Sequence, residues 1–389
     1  MPLYPGSKIG VIGGGQLGRM LILQCRRMGY YSAVLDADAR GPAAQVADKT
    51  YHPVNVHDFV KDCDIATYEF EHIDINVVSG IETVIPMFPS SSVLNIKQSR
   101  ISEKTYLSDN GFPLPRFWIL EDKSQLAPMV NKTPLVAKIS KGGYDGKGLY
   151  ILKSESDCFY FYQGIKEDLS SEIIAEEFIP FVKEISVICA RNKRGEIVFY
   201  PVAENVHDRG ILLYTIAPAD IDEITKKRAY DIAAELAKVL NIVGLLVVEM
   251  FVLDNNDVLI NEFAPRPHNA GHWTMDACDI SQFEMLIRAI CDIPLTVPQL
   301  FCKAGMVNIL GKGINDINYD KIFSMLGAKL HLYGKSEARE RRKMGHINII
   351  GKQGNELKKA IDFVIDILYG TAKRHGFEGH KLKNESVIN

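Results

Sequence analysis

Glu249 and Glu262 make the clearest chemical demand in the chain. Each sits in an apolar run, Leu245 to Val252 and Val258 to Phe263, and the turn-forming stretch Asp254-Asn255-Asn256-Asp257 separates them. Run, turn and run predict a β-hairpin. With Leu253 paired to Val258, Glu249 stands opposite Glu262 on one sheet face, the Cβ atoms about 4.5–5.5 Å apart. Two carboxylates that close in a half-buried sheet repel unless a cation offsets them. Magnesium suits the pair, because it takes one or two carboxylates together with phosphate oxygens. Asn261 adds an adjacent oxygen. The competing reading is a register slipped by one, with one glutamate in solvent.

Two glycine-rich loops could meet the phosphate. Lys141-Gly142-Gly143-Tyr144-Asp145-Gly146-Lys147-Gly148 lies between strand-like runs. It is not a Walker A loop: the glycine spacing is short, and Gly148 stands where Ser or Thr would ligate magnesium. A glycine-rich hairpin can instead fold over a triphosphate, its backbone N–H groups pointing at the oxygens. Lys138 lies on the strand leading in. A hairpin with solvated lysines is the alternative. The earlier loop, Gly13-Gly14-Gly15-Gln16-Leu17-Gly18, follows a strand and opens a helix, and Asp36 falls about 20 residues on, as in a dinucleotide fingerprint. Taken alone it fits a nicotinamide dinucleotide, another anion at a helix N-terminus, or a purely structural turn. A nicotinamide-dependent dehydrogenase would explain this loop and nothing after residue 130.

The elements that must position these residues can be read from periodicity. Lys8 to Ile12 is a buried strand, the stretch to Met28 a helix closed by Gly29, and Tyr31 to Leu35 a second strand. This βαβ start implies a parallel sheet. Asp64 to Tyr68 predicts a further strand, followed by Glu69-Phe70-Glu71. A helix over Ile101 to Asn110 breaks at Gly111-Phe112-Pro113. From about residue 117 strands dominate, at Leu135 to Ser140, Gly148 to Leu152, Ile173 to Glu177 and Glu184 to Arg191. A long helix over Asp222 to Leu240 carries Ile224, Ile232, Leu236, Val239 and Leu240 on one face. After the glutamate hairpin come a helix over Ser281 to Ile290, a strand over Ala304 to Leu310, short strands at Lys329 to Tyr333 and His346 to Ile350, and a helix over Asn355 to Tyr369. The polar tail after Gly370 is expected to fray.

Composition sets the bounds. The chain has 389 residues, 47% hydrophobic and 24% charged, enough for two or three globular domains. A formal net charge of −3 provides no basic field for nucleic acid. No stretch approaches the roughly 18–20 apolar residues of a membrane span. Met1 to Gly6 enters the first strand with no leader pattern. Cys25, Cys63, Cys158, Cys189, Cys278, Cys291 and Cys302 form no metal or redox spacing and read as small buried hydrophobes. These features together place the protein in the cytoplasm.

Lys138 with the glycine loop, Glu176-Glu177-Phe178-Ile179, Glu184 and the Glu249/Glu262 pair, in this order, resemble the ATP-grasp superfamily. Within it, Gly14-Gly15-Gln16-Leu17-Gly18-Arg19-Met20 and the long run from Asn261 to Thr274 are similar to the 5-(carboxyamino)imidazole ribonucleotide synthases of purine biosynthesis. The resemblance spans about residues 8–370. Ala270 stands where that family usually has Ser.

The resemblance implies a mixed α/β and α+β architecture, the ATP-grasp fold. It implies an N-terminal Rossmann-like parallel-sheet domain at 1–103, an ATP-grasp domain at 104–300 with its lid at about 117–180, and a small C-terminal domain at 301–389. The implied enzyme is an ATP-dependent carbon–nitrogen ligase. It carboxylates 5-aminoimidazole ribonucleotide with bicarbonate and releases ADP and phosphate. ATP would meet Arg100, Lys138, Gly143, Tyr144, Asp145, Gly146, Lys147, Gly148, Leu149, Glu176, Glu177, Phe178, Ile179, Glu184, His207, Asn261 and Glu262. Glu176 to Ile179 would read the adenine edge and Glu184 the ribose. Glu249 and Glu262 would hold Mg²⁺. Gln16, Leu17, Glu69, Tyr144 and Asp145 would contact the ribonucleotide. Lys335 and Arg342, in the basic run Tyr333 to Lys343, would bind its 5′-phosphate. Arg266 would hold the bicarbonate-derived anion, and His268 and Asn269 would position it and the amine. His272 reads equally well as a core histidine. Neither biotin nor NAD is expected, nor a nucleic-acid or membrane partner, whereas a homodimer is. The nearest alternatives in the superfamily are the formate-dependent glycinamide ribonucleotide transformylases and biotin carboxylases, whose sequences would differ around Arg266 to Trp273.

Overall fold

The computed structural model describes residues 1–120, 125, 129, 132, 134–140, 148–164, 173–352 and 354–370, without the side chains of 162–164. The tip of the second glycine loop, 141–147, and the tail after Gly370 lie outside the described residues.

The first unit alternates strand and helix: β1 (Lys8–Ile12), α1 (Gln16–Arg27), β2 (Tyr31–Leu35), β3 (Lys49–Tyr51), α2 (Val56–Asp62) and β4 (Ile65–Tyr68). Then come α3 (Ile75–Glu82), α4 (Ser91–Lys97) and α5 (Arg100–Asp109). The strands form the expected parallel sheet, in the order β3-β2-β1-β4. Both faces are covered, so β1, β2 and β4 read as continuous apolar runs rather than alternating ones.

A second, antiparallel sheet contains β5 (Phe117–Leu120), β6 (Leu135–Ile139), β7 (Leu149–Leu152) and, after α6 (Glu155–Gly164), β8 (Ile173–Glu177), in the order β5-β8-β6-β7. The second glycine loop joins β6 to β7, two paired strands, as its flanks predict.

The third sheet is the largest, with nine strands among the described residues. It contains β9 (Lys183–Arg191), β10 (Ile197–Phe199), β11 (Ala203–Asp208), β12 (Ile211–Ala217), β13 (Gly244–Val252) and β14 (Val258–Ala264), with α7 (Glu223–Val239) between β12 and β13. After α8 (Thr274–Ala277) and α9 (Gln282–Ile290) it continues with β15 (Ala304–Leu310), α10 (Tyr319–Phe323), β16 (Ala328–Leu332), β17 (Lys343–Ile350) and α11 (Asn355–Tyr369). The order is β14-β13-β9-β11-β12-β15-β17-β16, with β10 on β9.

Three expectations need correction. Strands β10 to β12 go unread in the sequence because polar side chains interrupt β11, whose one face is only half-buried. On α7, Ile224 is 65% exposed; the buried face is Ala229, Ala233, Leu236 and Ala237, small enough to lie close on β9 and β13. In the glutamate hairpin, Val252 rather than Leu253 pairs with Val258, and that register holds to Met250 opposite Ile260. A β-bulge at Asn261 then adds one residue and brings Glu262 opposite Glu249. Leu253 belongs to the turn, its N–H donating to Asp257 O at 2.9 Å. No helix among the described residues is long and apolar enough to cross a membrane.

Candidate active site

Glu249 and Glu262 face each other across β13 and β14 but ionise differently. Glu249 is buried, and its Oε1 has no hydrogen-bond partner among the described residues. Burial first, with Glu184 and Glu262 close by, pushes its carboxyl up to about 8 against the pull of His207. Glu262 is 45% exposed, and the Lys97 ammonium 3.1 Å away holds it well below the usual carboxylate range. Beside Glu249, His207 Nδ1 lies 2.8 Å from Glu184 Oε2. Burial disfavours the imidazolium, yet Glu184 outweighs it and raises His207 to about 9. Ligand atoms of Glu184, His207 and Glu249 fall within 4.8 Å of one another. The His207–Glu184 pair is internally neutralised. Glu249 and Glu262 fit a hard divalent cation better: one is a buried carboxyl whose Oε1 takes no hydrogen bond among the described residues, the other an ionised carboxylate opposite it.

On the lid side, Lys138 on β6 lies 3.0 Å from Glu176 on β8, and Lys104 of α5 lies 3.4 Å from the same carboxylate. Lys138 Nζ also stands 3.5 Å from Asn261 Oδ1. The Arg100 guanidinium donates to Ile139 O at 2.7 Å and its main-chain N–H to Ser140 O at 3.1 Å, at the entrance to the glycine loop. Ile139 N donates to Gly148 O, closing the base of that loop, and Leu149 pairs with Lys138. Gly143, Tyr144, Asp145, Gly146 and Lys147 lie outside the described residues. Glu177 pairs with Arg116 at the surface. Phe178 and Ile179 follow β8 directly.

β14 runs straight into the residues expected to carry carboxylation. Arg266 is held by Glu71, Nε to Oε1 2.8 Å, and by Pro267 O. His268 Nδ1 lies 3.6 Å from Glu249 Oε1, and burial, then the Arg266 charge, keep its imidazole neutral. Asn269 is buried with neither amide atom hydrogen-bonded within the described protein. Glu71, Lys97, Glu249, Glu262, Arg266 and His268 line one cavity of about 30 Å³, room for a small species and not for a nucleotide.

The first glycine loop is occupied by the protein itself. Gly14 N donates to Asp36 Oδ2 at 2.7 Å, and Gly15 N and Gly18 N donate to the two Glu69 oxygens at 2.5 and 2.9 Å. A Cβ at Gly15 would collide with that carboxylate. Asp36 therefore braces the turn instead of waiting for a ribose. Leu17 is buried and Gln16 half-buried at the start of α1. Lys335 Nζ donates to Lys343 O at 2.7 Å and Arg342 to Glu337 O at 2.9 Å. Gln45 donates to Gly334 O at 2.8 Å, tying that turn to the first unit.

Sequence reasoning missed Lys97, Glu71 and Lys104 as site residues. Glu71 carried a signal, the Glu69-Phe70-Glu71 alternation after a strand. Lys97 carried none: it bridges Glu103 and Glu262, and Glu262 is far along the chain.

A family model of the ATP-grasp domain matches residues 105–283, a ribonucleotide synthetase preATP-grasp domain matches 7–98, and a phosphoribosylaminoimidazole carboxylase C-terminal domain matches 304–360. The chain is 42% identical over 368 residues to the N5-carboxyaminoimidazole ribonucleotide synthase of Aquifex aeolicus, covering 94% of this chain and 98% of that protein. The ADP complex of an N5-carboxyaminoimidazole ribonucleotide synthetase superposes with a TM-score of 0.88 at 40% identity, covering 94% and 99% of the two chains. The Aspergillus clavatus enzyme in complex with ADP and 5-aminoimidazole ribonucleotide superposes with a TM-score of 0.87 at 29% identity, covering 94% and 99%.

Proposed function

We infer the reaction from one premise: the chain belongs to the N5-carboxyaminoimidazole ribonucleotide synthase family of ATP-grasp enzymes. It is an ATP-dependent ligase of purine biosynthesis. ATP occupies the cleft between the lid sheet and the large sheet, with Lys138 and Arg100 near its phosphates. Because two lysines engage the Glu176 carboxylate, reading of the adenine edge falls to the main chain of Glu177 to Ile179. Glu184 takes the ribose, beside His207.

Bicarbonate attacks the γ-phosphate and yields carboxyphosphate and ADP. Glu249 and Glu262 would hold Mg²⁺, which when bound offsets charge on the transferring phosphoryl group. Lys138 and Lys97 add positive charge from the protein. Carboxyphosphate is short-lived in water, so the glycine loop closes over it. Carboxyphosphate, or CO₂ released from it, then meets the exocyclic amine of 5-aminoimidazole ribonucleotide, and phosphate leaves. Arg266 holds the anion, Asn269 orients it, and the neutral His268 imidazole can accept the proton of the amine. Gln16, Leu17 and Glu69 hold the ribonucleotide, Tyr144 and Asp145 cover it, and Lys335 and Arg342 bind its phosphate.

The single observation that carries this reading is the small cavity shared by the metal pair and by Arg266 and His268. Phosphoryl transfer and carboxylation can then proceed without release of an intermediate. A carboxylate-filled first glycine loop speaks against NAD. The division at 1–103, 104–300 and 301–389, a homodimer and a cytoplasmic location complete the proposal. The test is ADP release with ATP, Mg²⁺ and bicarbonate, with and without 5-aminoimidazole ribonucleotide. Release should depend on that ribonucleotide; release that requires formate and glycinamide ribonucleotide instead would select the transformylase reading.

A further inference from the structure

Gln282 is the first residue of α9, is fully buried, and belongs to none of the groups assigned above. Its carboxamide grips both backbone polar groups of one residue. Oε1 accepts from His268 N–H at 2.9 Å, and Nε2 donates to the His268 carbonyl at 2.8 Å. That backbone fixes which way round the amide sits, since an N–H needs an acceptor and a carbonyl a donor. Nε2 also lies 3.0 Å from His272 Nδ1, which must therefore accept. The Gln282 main-chain N–H donates to Thr274 Oγ1 at 3.0 Å, and that hydroxyl donates to Gly271 O at 2.7 Å. A Cβ at Gly271 would stand 2.6 Å from Gln282 Oε1, so a glycine there lets the amide approach.

The contacts continue toward the C-terminal turn. The His272 and His346 rings lie 4.7 Å apart, and His346 Nδ1 is 2.9 Å from Tyr333 Oη. Tyr333 precedes Gly334 and Lys335. The residue that Gln282 clamps thus sits between Arg266 and Asn269, and the clamp is braced by the strands that carry the substrate-phosphate turn.

We propose that Gln282 is a positioning residue for carboxylation. It holds His268 and Asn269 in register with the ribonucleotide, while Glu71 holds Arg266 separately, so that the activated carboxyl group reaches the amine before water does. This rests on the roles given to Arg266, His268 and Asn269 above. A displacement of about 1 Å at a reacting group costs on the order of 100-fold, whereas nucleotide binding by the lid is untouched.

The experiment uses full-length Gln282→Met, similar in volume but unable to clamp. ADP and carboxylated product are measured together with ATP, bicarbonate and 5-aminoimidazole ribonucleotide. ADP release and the KM for ATP should stay near wild type, while product per ADP falls on the order of 10- to 100-fold. An unchanged ratio in the folded variant, or ADP release and product falling in parallel, overturns the proposal. If the wild type itself shows no ribonucleotide-dependent ADP release, the functional reading fails instead. Should Gln282→Met not fold, His272→Phe carries the test. It keeps a ring in the slot but removes the acceptor for Nε2, and it should lower product per ADP in the same sense; an unchanged ratio again overturns the assignment.

Discussion

A carboxyl raised to about 8 and an imidazole raised to about 9, side by side, make the ligand-free site sensitive to alkali. Both groups hold a proton in the folded state over a range where the unfolded chain has lost it. For Glu249 the stabilising effect is full below its ordinary 4.5 and is lost as pH rises through about 8. For His207 it is full below 6.5 and is lost through about 9. The signs agree, so the Tm of the ligand-free protein should fall between about pH 4.5 and 9, most steeply between about 6.5 and 8 where both groups contribute. Glu249→Gln should flatten the first part of that fall, and a flat wild-type profile would contradict the burial argument. Arg266→Ala should lower ribonucleotide-dependent ADP release by on the order of 100- to 1000-fold with nucleotide binding retained, since it removes an anion donor. Binding of ADP to the variant separates this from unfolding, and near-normal turnover would refute the role. Glu262→Gln should abolish Mg²⁺-dependent phosphoryl transfer, and full activity would refute the metal pair. The residues legible in the sequence were those whose own chemistry is awkward without a ligand, such as the facing glutamates. Lys97 and Gln282 were not legible, because each acts through a partner that only tertiary folding brings near, and Glu71 left no more than the Glu69-Phe70-Glu71 alternation.

The elements show why a correct pairing can follow from a faulty route. Two apolar runs placed Glu249 and Glu262 on neighbouring strands, and the turn residues fixed the hairpin. The expected two-strand register failed by one residue near the turn, and the Asn261 bulge restored it before the glutamates. A bulge leaves no mark in apolar periodicity, so only the outcome was readable. It does have a consequence: Asn261 stands near Lys138 across the cleft. Helix α7 lies under the same hairpin, on the face of β13 opposite Glu249. Leu236 is fully buried there among Val248, Met250 and Ile260. Leu236→Ala should cost about 2–5 kcal/mol in urea unfolding through the cavity it leaves. The KM for ATP should hardly change in the same variant. A large rise in KM with intact stability would mean that α7 shapes the cleft directly. The polar β11, by contrast, hid from pattern reading because His207, paired with Glu184, and Asn205, bonded to Thr215, occupy positions an ordinary strand would give to apolar residues.

At the scale of the molecule, the large sheet does not stop where the chain enters its last third. β12 hydrogen-bonds β15, Tyr214 opposite Val307 and Ala217 opposite Ala304, so β15, β17 and β16 extend the sheet that carries Glu249 and Glu262. Leu213 and Tyr214 share a core with Val307, Ile309, Ile361 and Val364. Asn348 donates to His272 O at 3.0 Å and to Asp276 Oδ2 at 2.7 Å, which ties β17 to the segment after Arg266, His268 and Asn269. Cutting the chain after residue 300 would expose β12 as an edge strand, uncover that apolar face and leave buried acceptors unpaired. The fragment 1–300 should therefore aggregate and fail to bind ADP, although it contains every residue assigned to ATP and metal. Adding 301–370 as a separate fragment during refolding should restore a soluble complex that binds ADP. Size-exclusion chromatography with an ADP titration decides the matter. A monodisperse 1–300 fragment with wild-type ADP affinity would mean that the last strands serve only the ribonucleotide phosphate and not the sheet that builds the nucleotide site.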